Sequence, residues 1–136
     1  MTDPIARADL LRAYRRVVEA RDIATVPSRL AELAADTWRP TRVAVAVHPW
    51  TPSRAVDVLL SDTDSNVVWR AVQHPAAGGE ALTQVAADEA DRAAAAGRSD
   101  IFLRAYVVHH PNTPATVRDA LLRDGACGCG RPGSWC

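Results

Sequence analysis

Trp50 to Pro75 reads WTPSRAVDVLLSDTDSNVVWRAVQHP, and its punctuation decides the fold. Thr51 is a residue type that caps helix N-termini, and Pro52 suits a first helical position, where its missing N–H goes unused in any case. Val56, Leu59 and Leu60 follow at helical spacing and give one apolar face. Ser61 to Asn66 is polar and reads as a turn. Val67, Val68, Ala71 and Val72 supply a second apolar face. Pro75 halts that helix and pushes His74 away from helical angles. The segment is therefore helix, turn, helix, stop. Neither helix is long enough to persist alone, so each must bury its face against a neighbour.

Neighbours of the same kind lie on both sides. His-Pro occurs at His48-Pro49, His74-Pro75 and His110-Pro111, with 26 residues between the first two prolines and 36 between the last two. Thr51-Pro52 and Thr113-Pro114 each follow a His-Pro by two residues. Ala77-Gly78 takes that place in the middle unit, and Val26-Pro27 lies 25 residues ahead of Pro52. Acidic residues that end a helical segment recur at Asp36, Asp62 and Asp88, again 26 apart. The longer interval marks an insertion within Glu89 to Ser99, EADRAAAAGRS. Ala93 to Ala96 are strong helix formers and Gly97 is a natural C-cap, so the insertion lengthens a helix. Self-similarity at a fixed interval is the signature of stacked repeats. Val43 to Val47 and Val67 to Val72 have strand-like composition, but recurring proline stops and the lack of Asn-Gly or Asp-Gly between consecutive runs favour helices.

Ahead of the repeats, Asp3 to Arg21 carries Ile5, Leu10, Leu11, Tyr14, Val17 and Val18 as an apolar stripe among charges. It reads as an amphipathic helix that caps the stack. The 136 residues suit one domain, and the apolar fraction of 48% with only 5% aromatic suits closely packed helices of alanine, valine and leucine. Sixteen arginines balance sixteen acids and there is no lysine, a bias that a GC-rich bacterial genome explains as readily as function. A neutral chain has no overall attraction for nucleic acid or anionic membrane, so neither is expected as a partner. No apolar run reaches the length of a membrane span, Met1 to Leu11 lacks the apolar segment of a secretory signal, and a cytoplasmic location is expected.

The order TP…L…L…D…V…AV…HP resembles the leucine-rich-repeat variant family, a HEAT-like stack of short helices. The residues that carry the resemblance are Asp36 with Val43 to Pro49, then Thr51-Pro52, Leu59, Asp62, Val67, Ala71-Val72 and His74-Pro75, then Leu103-Arg104, His110-Pro111 and Thr113-Pro114. It covers Ala24 to Arg123. It implies an all-α fold: a short right-handed α-solenoid of about three and a half helical repeats over residues 1–124, with an N-terminal capping helix and a flexible C-terminal tail at 125–136. Such repeats serve mostly as binding surfaces.

Three places fall outside the plain repeat. His48, His74 and His110 sit at one repeated position, which the repeat itself explains: a histidine before a turn proline can bond a neighbouring backbone group. Trp38 and Trp50 near the turns are candidate partner anchors, as are Arg92 and Arg98 in the insertion. The tail DGACGCGRPGSWC, Asp124 to Cys136, holds all three cysteines, an odd number that precludes a closed intramolecular disulfide set. Cys127, Cys129 and Cys136 are candidate thiolate ligands for copper, zinc or an iron–sulfur group, although their spacing matches no standard zinc finger. Some members of the resembled family carry a cysteine-rich iron–sulfur module ahead of their repeats, whereas here the cysteines follow them. Alternatively the tail is the core of a ribosomal peptide precursor, with Cys127, Cys129, Ser134, Trp135 and Cys136 as targets of a tail-modifying enzyme that binds the folded part. No nucleophile elbow, phosphate loop or metalloprotease motif occurs, so no catalytic residue and no resident cofactor are assigned. The leading expectation is a non-enzymatic scaffold that binds a protein partner.

Overall fold

The structure, a computed structural model, describes residues 4–97 and 101–126. Among them are eight helices and no strand: α1 (Pro4–Arg21), α2 (Pro27–Leu33), α3 (Arg39–Val47), α4 (Ser53–Leu60), α5 (Ser65–Ala71), α6 (Gly79–Ala96), α7 (Ile101–His109) and α8 (Ala115–Arg123). Both valine-rich pieces are helical: Val43 to Val47 belongs to α3, and Val67 to Ala71 to α5 with Val72 as its C-cap.

The helices pack in two rows. α3 lies against α1 and α5, and α4 lies against α2 and α6, while α7 packs on α6 and α8. Leu30, Leu33, Leu59 and Leu82 are fully covered between the rows, together with Val45, Val56, Val67, Val72 and Val107. Helices of seven to nine residues, such as α2, α4 and α5, are too short to hold in water, so this burial is what makes them helical.

The joints differ from the expected capping. α4 begins at Ser53 with Pro52 as its N-cap, and Thr51 does not cap it. The Thr51 hydroxyl instead donates to the Val45 carbonyl at 2.6 Å. Thr113 donates to the Val107 carbonyl and Thr25 to that of Glu19 in the same way. Each of these last-turn carbonyls accepts only the backbone N–H three residues on, and the threonine six residues on adds a second bond to it. Ala77 stands at this place in the middle unit, where the chain is fitted differently: a Cβ on Gly79 would meet the Asn112 carbonyl oxygen at 2.6 Å. The Asn112 amide ties the same corner by donating to the carbonyls of Pro75 at 3.0 Å and Ala77 at 2.8 Å.

The aspartates shape the other turn. Asp36 and Asp62 each accept the backbone N–H two residues on, at 2.8 Å, from Trp38 and Asp64. Their second oxygens accept from Arg16 and from Arg42, the latter at 2.7 Å, two arginines that are themselves 26 residues apart. Arg42 also donates to the Asp36 carbonyl at 2.9 Å and so joins consecutive turns. The next arginine position holds Val68, and there the turn is lost. Asp88 bonds Gln84 instead, and α6 runs on through it to Ala96 over an alanine-rich stretch. Gly97 closes that helix in the left-handed region, at φ 70°, as the sequence predicts.

α1 departs from expectation in its orientation. Among its described side chains only Val17 and Ala20 are buried, while Leu10, Leu11, Tyr14 and Val18 are 50–60% exposed. α1 has 18 residues and α3 has nine, so α3 covers only the C-terminal part of α1.

Candidate interaction surface

The three repeated histidines form a ladder along the molecule. His48 Nε2 meets the Asp22 carbonyl at 2.9 Å, His74 Nε2 the His48 carbonyl at 2.8 Å, and His110 Nε2 the His74 carbonyl at 2.8 Å. On the other ring nitrogen, Nδ1 of His48, His74 and His110 accepts the backbone N–H of Trp50, Ala76 and Asn112, each at 3.0 Å. An Nδ1 that accepts leaves the proton on Nε2, so every rung donates to a carbonyl. The ladder starts at Asp22, which stands 26 residues before His48 and accepts the Ala24 N–H at 2.9 Å through its side chain. All three histidines are buried, with both ring nitrogens engaged, and neither nitrogen is left to bind a metal or move a proton.

Large apolar side chains also stand outward, among them Ile23, Val26 and, on α4, Val58. The row α1, α3, α5 presents Tyr14, Val18 and Val47, and α7 adds Tyr106. Trp69 of α5 meets Tyr106 edge-on with centroids 5.8 Å apart, bridging to α7. A groove of about 270 Å³ runs between the C-terminal ends of α3 and α5, walled by Ala46, Val47, Pro49, Gln73 and Pro75, with Arg70 at its edge. The Arg70 guanidinium lies over the Trp69 ring, 5.2 Å from its centroid, where the ring face attracts it. Trp50 follows Pro49 at the same end and is 61% exposed.

The charges are unevenly divided among the helices. α3, α5 and α7 carry Arg39, Arg42, Arg70 and Arg104 and no acidic residue. α6 alone carries Glu80, Asp88, Glu89 and Asp91. Arg39 and Arg42 are engaged by Asp64 and Asp62, whereas Arg70 has an aromatic ring beside it.

Of the residues singled out from sequence, Trp50 is exposed beside the groove, and Trp38 is half-buried at the N-cap of α3. Arg92 is exposed on the extended α6, 3.1 Å from Glu89, and lines a second cavity of about 270 Å³ with Asp62, Ser65, Trp69 and Leu103. Groove and cavity open on different stretches of the molecule, so Trp50 and Arg92 do not line a common depression. Arg98, Cys127, Cys129, Ser134, Trp135 and Cys136 lie outside the described residues, and with them the metal and modification readings of the tail. Among the described residues no three His, Cys, Asp or Glu side chains gather as a metal site, and no helix is long and apolar enough to cross a membrane. Val47 and Arg70 are the residues that sequence reading passed over. The lack of acids in α3 and α5 was a visible signal for them.

Comparison of the chain with protein-family models, with curated proteins and with solved structures finds no match.

Proposed function

We propose that the chain is a non-enzymatic, cytoplasmic protein-binding scaffold, built as a short right-handed α-solenoid in the manner of leucine-rich-repeat variants. The observation that carries this reading is the division of labour among its side chains. The repeated polar groups His48, His74, His110 and Thr51 are buried and spend their hydrogen bonds on backbone, and the half-buried Asp62 divides its own between the Asp64 N–H and Arg42. Tyr14, Val18, Val47 and Trp50, which have no such duty, stand in solvent. Exposed aromatic and aliphatic side chains on a rigid row of helices are the usual anchors of a protein partner.

The test is site-specific photo-crosslinking in the producing cell. A crosslinker at Val47 should trap a discrete partner, and one at Arg54 on α4 should not. Trp50→Ala should weaken the Val47 adduct, and removal of residues 127–136, which spares the buried Ala126, should leave it intact. Adducts formed only from α4, or from neither site, would refute the reading.

A further inference from the structure

The groove between α3 and α5 is specific in its chemistry, and we infer that it receives an acidic segment of the partner protein, an apolar side chain flanked by carboxylates. The inference rests on the scaffold reading and names what the scaffold selects.

Size argues first. The groove measures about 270 Å³. Sites for drug-sized small molecules span roughly 300–1,000 Å³ and enclose the ligand on most sides. This one lies open along the ends of two helices, walled by Ala46, Val47, Pro49 and Pro75. It suits one or two apolar side chains projecting from a longer chain.

Charge argues second. Arg70 is the one charged residue lining the groove, and neither α3 nor α5 contributes a carboxylate. His74 also lines it, but both of its ring nitrogens are taken, by the His48 carbonyl and the Ala76 N–H. The guanidinium lies over the Trp69 ring, and its planar fork is a good receptor for a carboxylate. Val47 and Trp50, 55% and 61% exposed, supply apolar surface at the same end. Basic segments are disfavoured by the same arginine. Nucleic acid is disfavoured because its affinity grows with the number of phosphates neutralised, and the groove offers one cation.

Fluorescence anisotropy with the full chain tests this. The probes are a labelled helical peptide with two leucines flanked by four glutamates, its lysine-for-glutamate twin, its serine-for-leucine twin, and a single-stranded RNA of the same length. The glutamate-leucine peptide should bind, and either twin should lose tenfold or more. Arg70→Glu should weaken the glutamate peptide at least tenfold and allow the lysine peptide to bind instead, while Arg54→Glu on α4 should change neither. Circular dichroism checks that Arg70→Glu, an exposed substitution, keeps its helices. Equal binding of both charge twins, indifference to Arg70→Glu, or preference for the RNA would overturn the inference. A crosslinked cellular partner that persists undiminished in Arg70→Glu overturns it too and leaves the scaffold reading standing. No partner adduct together with no peptide binding removes both.

Discussion

Replacing His74 by alanine should cost the fold about a third of its stability. The ring sits in the middle of the ladder, 4% exposed, donating to the His48 carbonyl at 2.8 Å and accepting the Ala76 N–H at 3.0 Å. Alanine leaves the Ala76 N–H without its partner in a closed site, while the His48 carbonyl keeps only the Thr51 N–H at 3.2 Å. The orphaned N–H costs about 1–3 kcal/mol and the lost bond to the carbonyl about 0.5–1.5 kcal/mol, and water entering the vacated space recovers part of it. The expected loss is therefore about 2–4 kcal/mol, against the roughly 5–15 kcal/mol that holds a domain together. Asparagine makes a sharper comparison. Asp22 occupies the equivalent place and accepts the N–H two residues on with a short side chain. His74→Asn should therefore recover the bond to Ala76 but not the longer reach to the His48 carbonyl, and should lose roughly half as much as alanine. Urea unfolding followed by circular dichroism measures both. A loss under about 0.5 kcal/mol for alanine, within the range of ordinary surface changes, would refute the ladder as a source of stability. Asparagine no better than alanine would refute the two-bond division.

Other outcomes follow from the joints. Asp62→Ala removes both the partner of Arg42 and the acceptor of the Asp64 N–H, and should destabilise by about 2–4 kcal/mol in urea unfolding, whereas Asp62→Asn keeps the N–H bond and should cost about half of that. Gly79→Ala drives a methyl group into the Asn112 carbonyl and should cost about 1–3 kcal/mol, more than Gly78→Ala, whose methyl meets only the Asp57 side chain; parallel thermal melts rank the two. The hydrogen bond from Arg29 holds the Glu19 carboxyl below its ordinary value of 4.5. A carboxyl lowered in the folded state stabilises it above that ordinary value, and the contribution disappears as pH falls through the lowered one. Acid titration of the melting temperature should therefore show a fall below about pH 4.5 that is shallower in Glu19→Gln; an identical slope would contradict the assignment.

The helical class was legible because proline stops recur between short apolar segments at helical spacing, and the recurring histidines fall at matching turns. The valine runs resolved as helices for the same reason. The joints were less legible. Thr51 carries the side chain of an N-cap, but its hydroxyl turns back to the preceding helix, where it shares the Val45 carbonyl with the His48 N–H. That competition is settled by the angle between helices, which no local pattern encodes. Asp22 was missed as the first rung because it is not a histidine, although it stands at the right interval. The Arg16 and Arg42 spacing was visible, and only the structure attaches each to an aspartate twenty residues on. Helical spacing correctly gave α1 an apolar stripe but not its direction, since that depends on how far α3 extends beside it. The groove needed the third dimension altogether, because Val47 and Arg70 belong to different helices and are ordinary residues in each.

The account turns on the claim that the repeated histidines hold the frame and so leave binding to the outer face. Long-range nitrogen–proton correlation spectra of the imidazoles test it most directly. His48, His74 and His110 should each show the proton on Nε2, with slow exchange of that proton with solvent and no change on adding zinc. A proton on Nδ1, rapid exchange, or a zinc-induced shift at any of the three would contradict the ladder and return these residues to the list of candidate functional groups.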